Sequence, residues 1–139
     1  DVDLAITDRF GFRAMSGGID GLQVTQPTHT PTPTKVLFMR YMASESAGYV
    51  VDDWVAGGPD GAALFTEILQ PISASDDQIR AQMVNFHARL LGEFLLADDP
   101  EIDRTMALYQ DALTRGLSEN DAWKQVLSAL FQDPRMMLY

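Results

Sequence analysis

Apolar residues recur with the period of an α-helix through most of the chain beyond its first quarter, most regularly between Asp99 and Asp133. Ile102, Met106, Tyr109 and Leu113 fall at steps of four, three and four, the spacing that aligns side chains on one face of a 3.6-residue helix. Asp99 is a natural N-cap, and Pro100 occupies a first-turn position where no amide hydrogen is needed. Glu101 and Asp103 place negative charge near the positive end of the helix dipole. Gly116 stops this helix. Ser118, with Asp121 three residues on, caps another whose stripe is Trp123, Val126, Leu127, Leu130 and Phe131, and Asp133-Pro134 closes it. The pattern predicts a helical hairpin that supplies a core.

Upstream, Thr34 is placed to cap a helix with Val36, Leu37, Phe38, Tyr41, Met42 and Ala47 on its apolar face and Lys35, Arg40 and Glu45 turned outward. Gly48 weakens the end of this helix, and Gly57-Gly58-Pro59 breaks it. Asp60 can cap a short helix through Leu64, Phe65, Ile68 and Leu69, which Pro71 closes. Ser75 and Gln78 form a capping-box pair. They open the longest helix, which keeps Ile79, Met83, Phe86, Leu90, Leu91, Phe94 and Leu95 on one side as far as Ala97-Asp98. Residues 1–34 read differently: Ser16-Gly17-Gly18 and Asp20-Gly21 are turn signals, and Pro27, Pro31 and Pro33 favour extended chain. The prediction is an all-α fold. A helical bundle of four main helices plus short ones spans residues 35–139, with an irregular Gly/Pro-rich segment, residues 1–34, packed on it. Met136 and Leu138 are expected to fold back against the segment from Gln26 to Thr34, because four consecutive large residues in water would make an adhesive patch.

With 139 residues, 46% of them hydrophobic, the chain can bury the core of one domain without covalent staples. Twenty acidic residues against ten basic give a formal charge of −10, which sets it against nucleic acid and anionic membrane surfaces. The absence of cysteine removes disulfides, thiolate chemistry and covalent haem attachment. No apolar run reaches the roughly 20 residues of a membrane helix. A start at Asp1 and the apolar ending Met136-Met137-Leu138-Tyr139 read as a piece of a longer polypeptide.

Candidate chemistry is sparse. His29 lies in the proline segment, where it reads as an exposed loop residue or as a weak candidate for an axial nitrogen to a haem held elsewhere. His87, following Phe86 on the long helix, reads as a partly solvated histidine at the edge of the buried stripe rather than as a ligand or base, since no second histidine or carboxylate stands three or four residues away. Asp52, Asp53 and Asp60 flank a glycine-rich turn that could offer oxygen ligands to calcium, although the alternating acidic pattern of a calcium loop is missing. Ser44-Glu45-Ser46 has no paired histidine and reads as helix surface. No catalytic constellation emerges.

Two stretches carry a resemblance. Arg9-Phe-Gly-Phe-Arg-Ala-Met-Ser-Gly-Gly-Ile-Asp-Gly with Val24-Thr-Gln-Pro-Thr, and the ending from Ala122 to Tyr139, resemble large exported proteins of planctomycetes and myxobacteria. Those proteins are built from helical domains of unknown function and are often fused to c-type cytochrome modules. Gln132-Asp133-Pro134-Arg135 stands where their Leu-x-Ser-Pro-Arg-Phe-Leu-Tyr segment has its centre. The resemblance implies export to the periplasm or cell surface and a haem in a neighbouring chain or domain; it supplies no catalytic residue. The expected function is a noncatalytic helical structural or interaction module of a larger extracytoplasmic protein, with other protein domains or subunits as partners. The alternative is a subunit of an electron-transfer complex that contacts a haem carried by another chain.

Overall fold

A computed structural model describes residues 32–68 and 74–137, with the side chain of Met137 left aside. Five α-helices run in order: α1 Pro33–Val55, α2 Pro59–Leu64, α3 Asp76–Phe86, α4 Pro100–Thr114 and α5 Glu119–Phe131. A π-helical turn, His87–Leu91, extends α3, and a 3-10 turn, Pro134–Met137, follows α5. The fold is all-α, with no strand among the described residues.

The hairpin forms as its sequence requires. The Asp99 carboxylate accepts from the Glu101 amide at 2.9 Å, and the Ser118 hydroxyl accepts from the Asp121 amide at 3.2 Å. Helix α5 is the centre of the bundle, packing on α1, α4 and the π turn. Its Trp123, 1% exposed, meets the edges of Phe65 and Phe86 at ring distances of 5.6 and 5.8 Å and lies 4.7 Å from the tilted ring of Tyr109. Trp54 stacks on Phe65 at 3.9 Å, which brings α1 and the chain after α2 into the same aromatic cluster.

Helix α1 departs from expectation in cap and buried face. Thr32, not Thr34, caps it, accepting from the Lys35 amide at 3.1 Å, and Pro33 takes the first-turn position. The helix runs through Gly48 for 23 residues. Ala43, Ala47, Val51 and Trp54 are buried, whereas Val36, Leu37 and Tyr41 are exposed. At 1.5 Å per residue α1 is about 35 Å long against about 20 Å for α5, so α5 alone is too short to cover its whole length.

Helix α2 is shorter than expected. Gly58 occupies its N-cap position and Asp60 sits in its first turn, and it ends at Leu64 while Phe65 and Ile68 are buried from non-helical chain. It folds back on α1 so tightly that a Cβ at Gly61 would overlap the backbone nitrogen and Cα of Trp54. Glycine at that position is what allows the turn.

Helix α3 opens with the expected capping box. It does not reach Ala97, because the π turn ends at Gly92, whose φ of +69° is readily adopted only without a side chain. Residues 93–96 then run as a strap, and Phe94 is 90% exposed instead of buried. At the other end of the chain, Met136 packs against the core. Leu138 and the part of the Gln26–Thr34 segment up to residue 31 that was expected to receive it lie outside the described residues, as do Tyr139, Leu69 and Pro71.

Candidate functional site

The residues with the most elaborate chemistry gather where the π turn, the strap, α4 and the C-terminal 3-10 turn meet. In the π turn the carbonyl of His87 accepts from the amides of both Gly92 and Glu93, the latter at 3.1 Å. This wrap brings the Glu93 side chain back over the residue that anchors its backbone. His87 is 1% exposed, not partly solvated as expected. Its Nδ1 lies 3.2 Å from Glu93 Oε2 and its Nε2 lies 3.0 Å from Thr105 Oγ1 on α4.

The second oxygen of Glu93 pairs with the Arg135 guanidinium. Arg135 also holds Asp133 through both carboxylate oxygens, at 2.7 and 2.6 Å, in the two-pronged geometry that favours guanidinium–carboxylate pairs. Thr105, His87, Glu93, Arg135 and Asp133 thus form one continuous row that ties four elements together. The hydrogen-bonded arginine holds the Asp133 carboxyl below the usual aspartate range. A folded-state value below the unfolded one means that Asp133 stabilises fully above about pH 4 and that this contribution is lost as pH falls through the depressed value. The stability gap between the protein and Asp133→Asn, followed by urea melts from pH 6 to pH 2, should therefore close in acid. A gap that stays constant would show that the carboxylate charge contributes nothing.

The order hydroxyl, imidazole, carboxylate is the one a serine-type hydrolase uses. Here the hydroxyl belongs to the buried face of a helix, and Thr105 Oγ1 lies 3.1 Å from the carbonyl of Glu101 one turn earlier. Its hydrogen has a helix carbonyl to bond, so the row works as a tie between helices.

What the row positions is the strap. Glu93 is fixed by His87 and Arg135, Leu95 packs against the core, and the Ala97 carbonyl accepts from Arg80 at 3.1 Å. Between these anchors Phe94 and Leu96 point into solvent, 90% and 74% exposed. Beside them runs an open groove of ≈ 590 Å³, floored by Ala81, Val84 and Ala88 and walled by Leu95 and Leu96 on one side and Glu67 on the other.

The carboxylates considered for calcium are separately engaged. Asp52 pairs with Lys124 of α5 at 2.7 Å, Asp53 accepts from the Gly61 amide at 2.8 Å, and Asp60 accepts from the Tyr49 hydroxyl at 2.7 Å. They fasten α1 to α5 and to α2, and no group of three or more histidine or acidic residues that could hold a metal exists among the described residues. His29 lies outside the described residues. Gln82, fully buried, escapes the sequence pattern: its amide donates to the Leu64 carbonyl at 2.9 Å and its carbonyl accepts from the Glu67 amide at 3.0 Å, tying the exit of α2 to α3. Its signal was a polar residue within a buried stripe.

No protein-family model, curated protein or solved structure matches the chain.

Proposed function

We propose that the domain is a noncatalytic interaction module, and that the strap with its groove is the face by which it holds another protein domain or subunit. The setting that the sequence resemblance implies is a larger extracytoplasmic assembly. One observation carries this reading: Phe94 is 90% exposed although the residues around it are anchored by the His87–Glu93–Arg135 row and by the core. A fully exposed phenylalanine forgoes about 1.5–3 kcal/mol of burial, and an aromatic held out on a fixed backbone loses little further freedom on docking. Such residues are the usual anchors of protein interfaces. The groove is open, which suits a polypeptide surface better than an enclosed small molecule.

Two measurements test it. Phe94→Ser should change stability by less than about 0.5 kcal/mol, since the side chain packs on nothing; a larger loss in urea melts would mean that Phe94 belongs to the core. A photo-crosslinking phenylalanine analogue at position 94, in the protein expressed in its own cells, should yield an adduct of discrete mass. The same analogue at Thr114, exposed at the end of α4, should not. Equal yields at both positions, or none at 94, would remove the support for a docking face.

A further inference from the structure

Resting on the reading of the strap as a docking face, we infer that its occupant is a cationic amphipathic helix of another protein. Shape gives the first reason. The floor residues Ala81, Val84 and Ala88 stand at i, i+3 and i+7 and lie along about 10 Å of helix axis, roughly two turns. Two of the three are alanine, so a second helix can approach closely, with its own i, i+3 or i+4, and i+7 side chains set against Val84, Leu95 and Leu96 and its flank against Phe94, the residue before Leu95.

Charge selects the partner. Glu67 lines the groove, Asp98 follows its last lining residue, and Asp77 stands one turn before Ala81 on the same face of α3. Asp77 and Asp98 have no ion pair among the described residues. Two cations stand nearby: Arg89, which lines the groove, donates to the Ala63 carbonyl and keeps its charge, whereas Arg80 pairs with Asp103 at 2.8 Å and bonds the Ala97 carbonyl. Glu67, Asp77 and Asp98 against the one guanidinium of Arg89 leave the charge around the apolar groove negative, on a chain whose formal charge is −10. A second copy would bring the same acidic rim against itself. Lysines and arginines flanking an apolar stripe complement it, and their attraction to the rim weakens with salt.

The probe is a short, fluorescein-labelled leucine/lysine peptide that forms an amphipathic helix, titrated with the full chain and followed by anisotropy. Its leucine/glutamate counterpart and a scrambled peptide of the same composition serve as comparisons. Saturable binding of the lysine peptide alone is expected. The double replacement Phe94→Ser with Leu96→Ser should weaken it at least about tenfold, and Asp77→Asn with Asp98→Asn about threefold, with a shallower salt dependence. Asp111→Asn with Glu119→Gln, remote from the groove, should leave it unchanged. Equal binding of the scrambled or glutamate peptide, insensitivity to the Phe94 and Leu96 replacements, or an equal effect of the remote acidic pair would each overturn the inference. A dimer in sedimentation that dissociates on Phe94→Ser would overturn it too, assigning the face to a second copy. A discrete crosslink at position 94 without lysine-peptide binding would refute the cationic helix while the docking face stood; loss of both would remove the face itself.

Discussion

Trp123→Ala is expected to destabilise the protein by about 3–5 kcal/mol, a large part of what a domain of this size possesses. The indole is 1% exposed and touches aromatic rings from the chain after α2, from α3 and from α4. Truncation removes its buried area and leaves a cavity whose walls are held by separate helices, so collapse into the space is resisted from three sides. Urea melts with an unchanged m-value would give the figure. A loss under about 1 kcal/mol would mean that the surrounding rings close over the gap and that Trp123 is not the centre of the cluster.

The second large effect comes from adding a single methyl group. In Gly61→Ala the new Cβ would overlap the backbone of Trp54, and helical backbone in the last turn of α1 cannot swing aside as a flexible side chain can. Either α2 lifts off α1, breaking the Asp53 bond to the residue 61 amide, or the Trp54–Phe65 stack is displaced. The cost should lie at or above the upper end of the about 1–3 kcal/mol typical of overpacking. Near-ultraviolet circular dichroism should register the disturbed tryptophan together with the lower midpoint. Ala62→Gly, next door and exposed, is the control, costing no more than a helix-propensity change of about 1 kcal/mol. Equal stability of the two variants would show that the α1–α2 corner yields to the added methyl group.

The helix starts were legible because capping is local: Asp99, Ser118 and the Ser75–Gln78 pair each need only the next three residues. The buried stripes of α4 and α5 were legible for a related reason, since one period states which face turns inward, although Leu113, expected on the α4 stripe, is exposed near the end of that helix, where Ala112 is buried instead. Periodicity does not state how long the covering helix is, so Val36, Leu37 and Tyr41 were assigned to a core that α5 does not extend far enough to provide. The site was less legible still. Residues six apart occupy different faces of an α-helix, so nothing in the spacing of His87 and Glu93 announced a pair. Thr105 lies a further 12 positions along the chain and Arg135 a further 42 beyond Glu93, separations over which local pattern carries no information. A usable trace was present in the polar residues embedded in apolar stripes: Gln82 between Ile79 and Met83, His87 after Phe86, and Thr105 between Ile102 and Met106. A buried polar side chain must find a partner, so a polar residue inside an apolar stripe marks a tertiary contact even where the identity of the partner is hidden.

The π turn also makes the placement of the strap a matter of phase. An α-helix advances about 100° per residue, and a single π turn accommodates one residue more than its α counterpart over nearly the same rise. Everything beyond Leu91 is therefore rotated relative to the direction α3 would have given it. Removing Ala88 would let the segment wind as ordinary α-helix, carrying Glu93 away from His87 and swinging Phe94 round the axis, although both side chains would still be present. Where Phe94 points is accordingly set by the number of residues in the turn as well as by their identity.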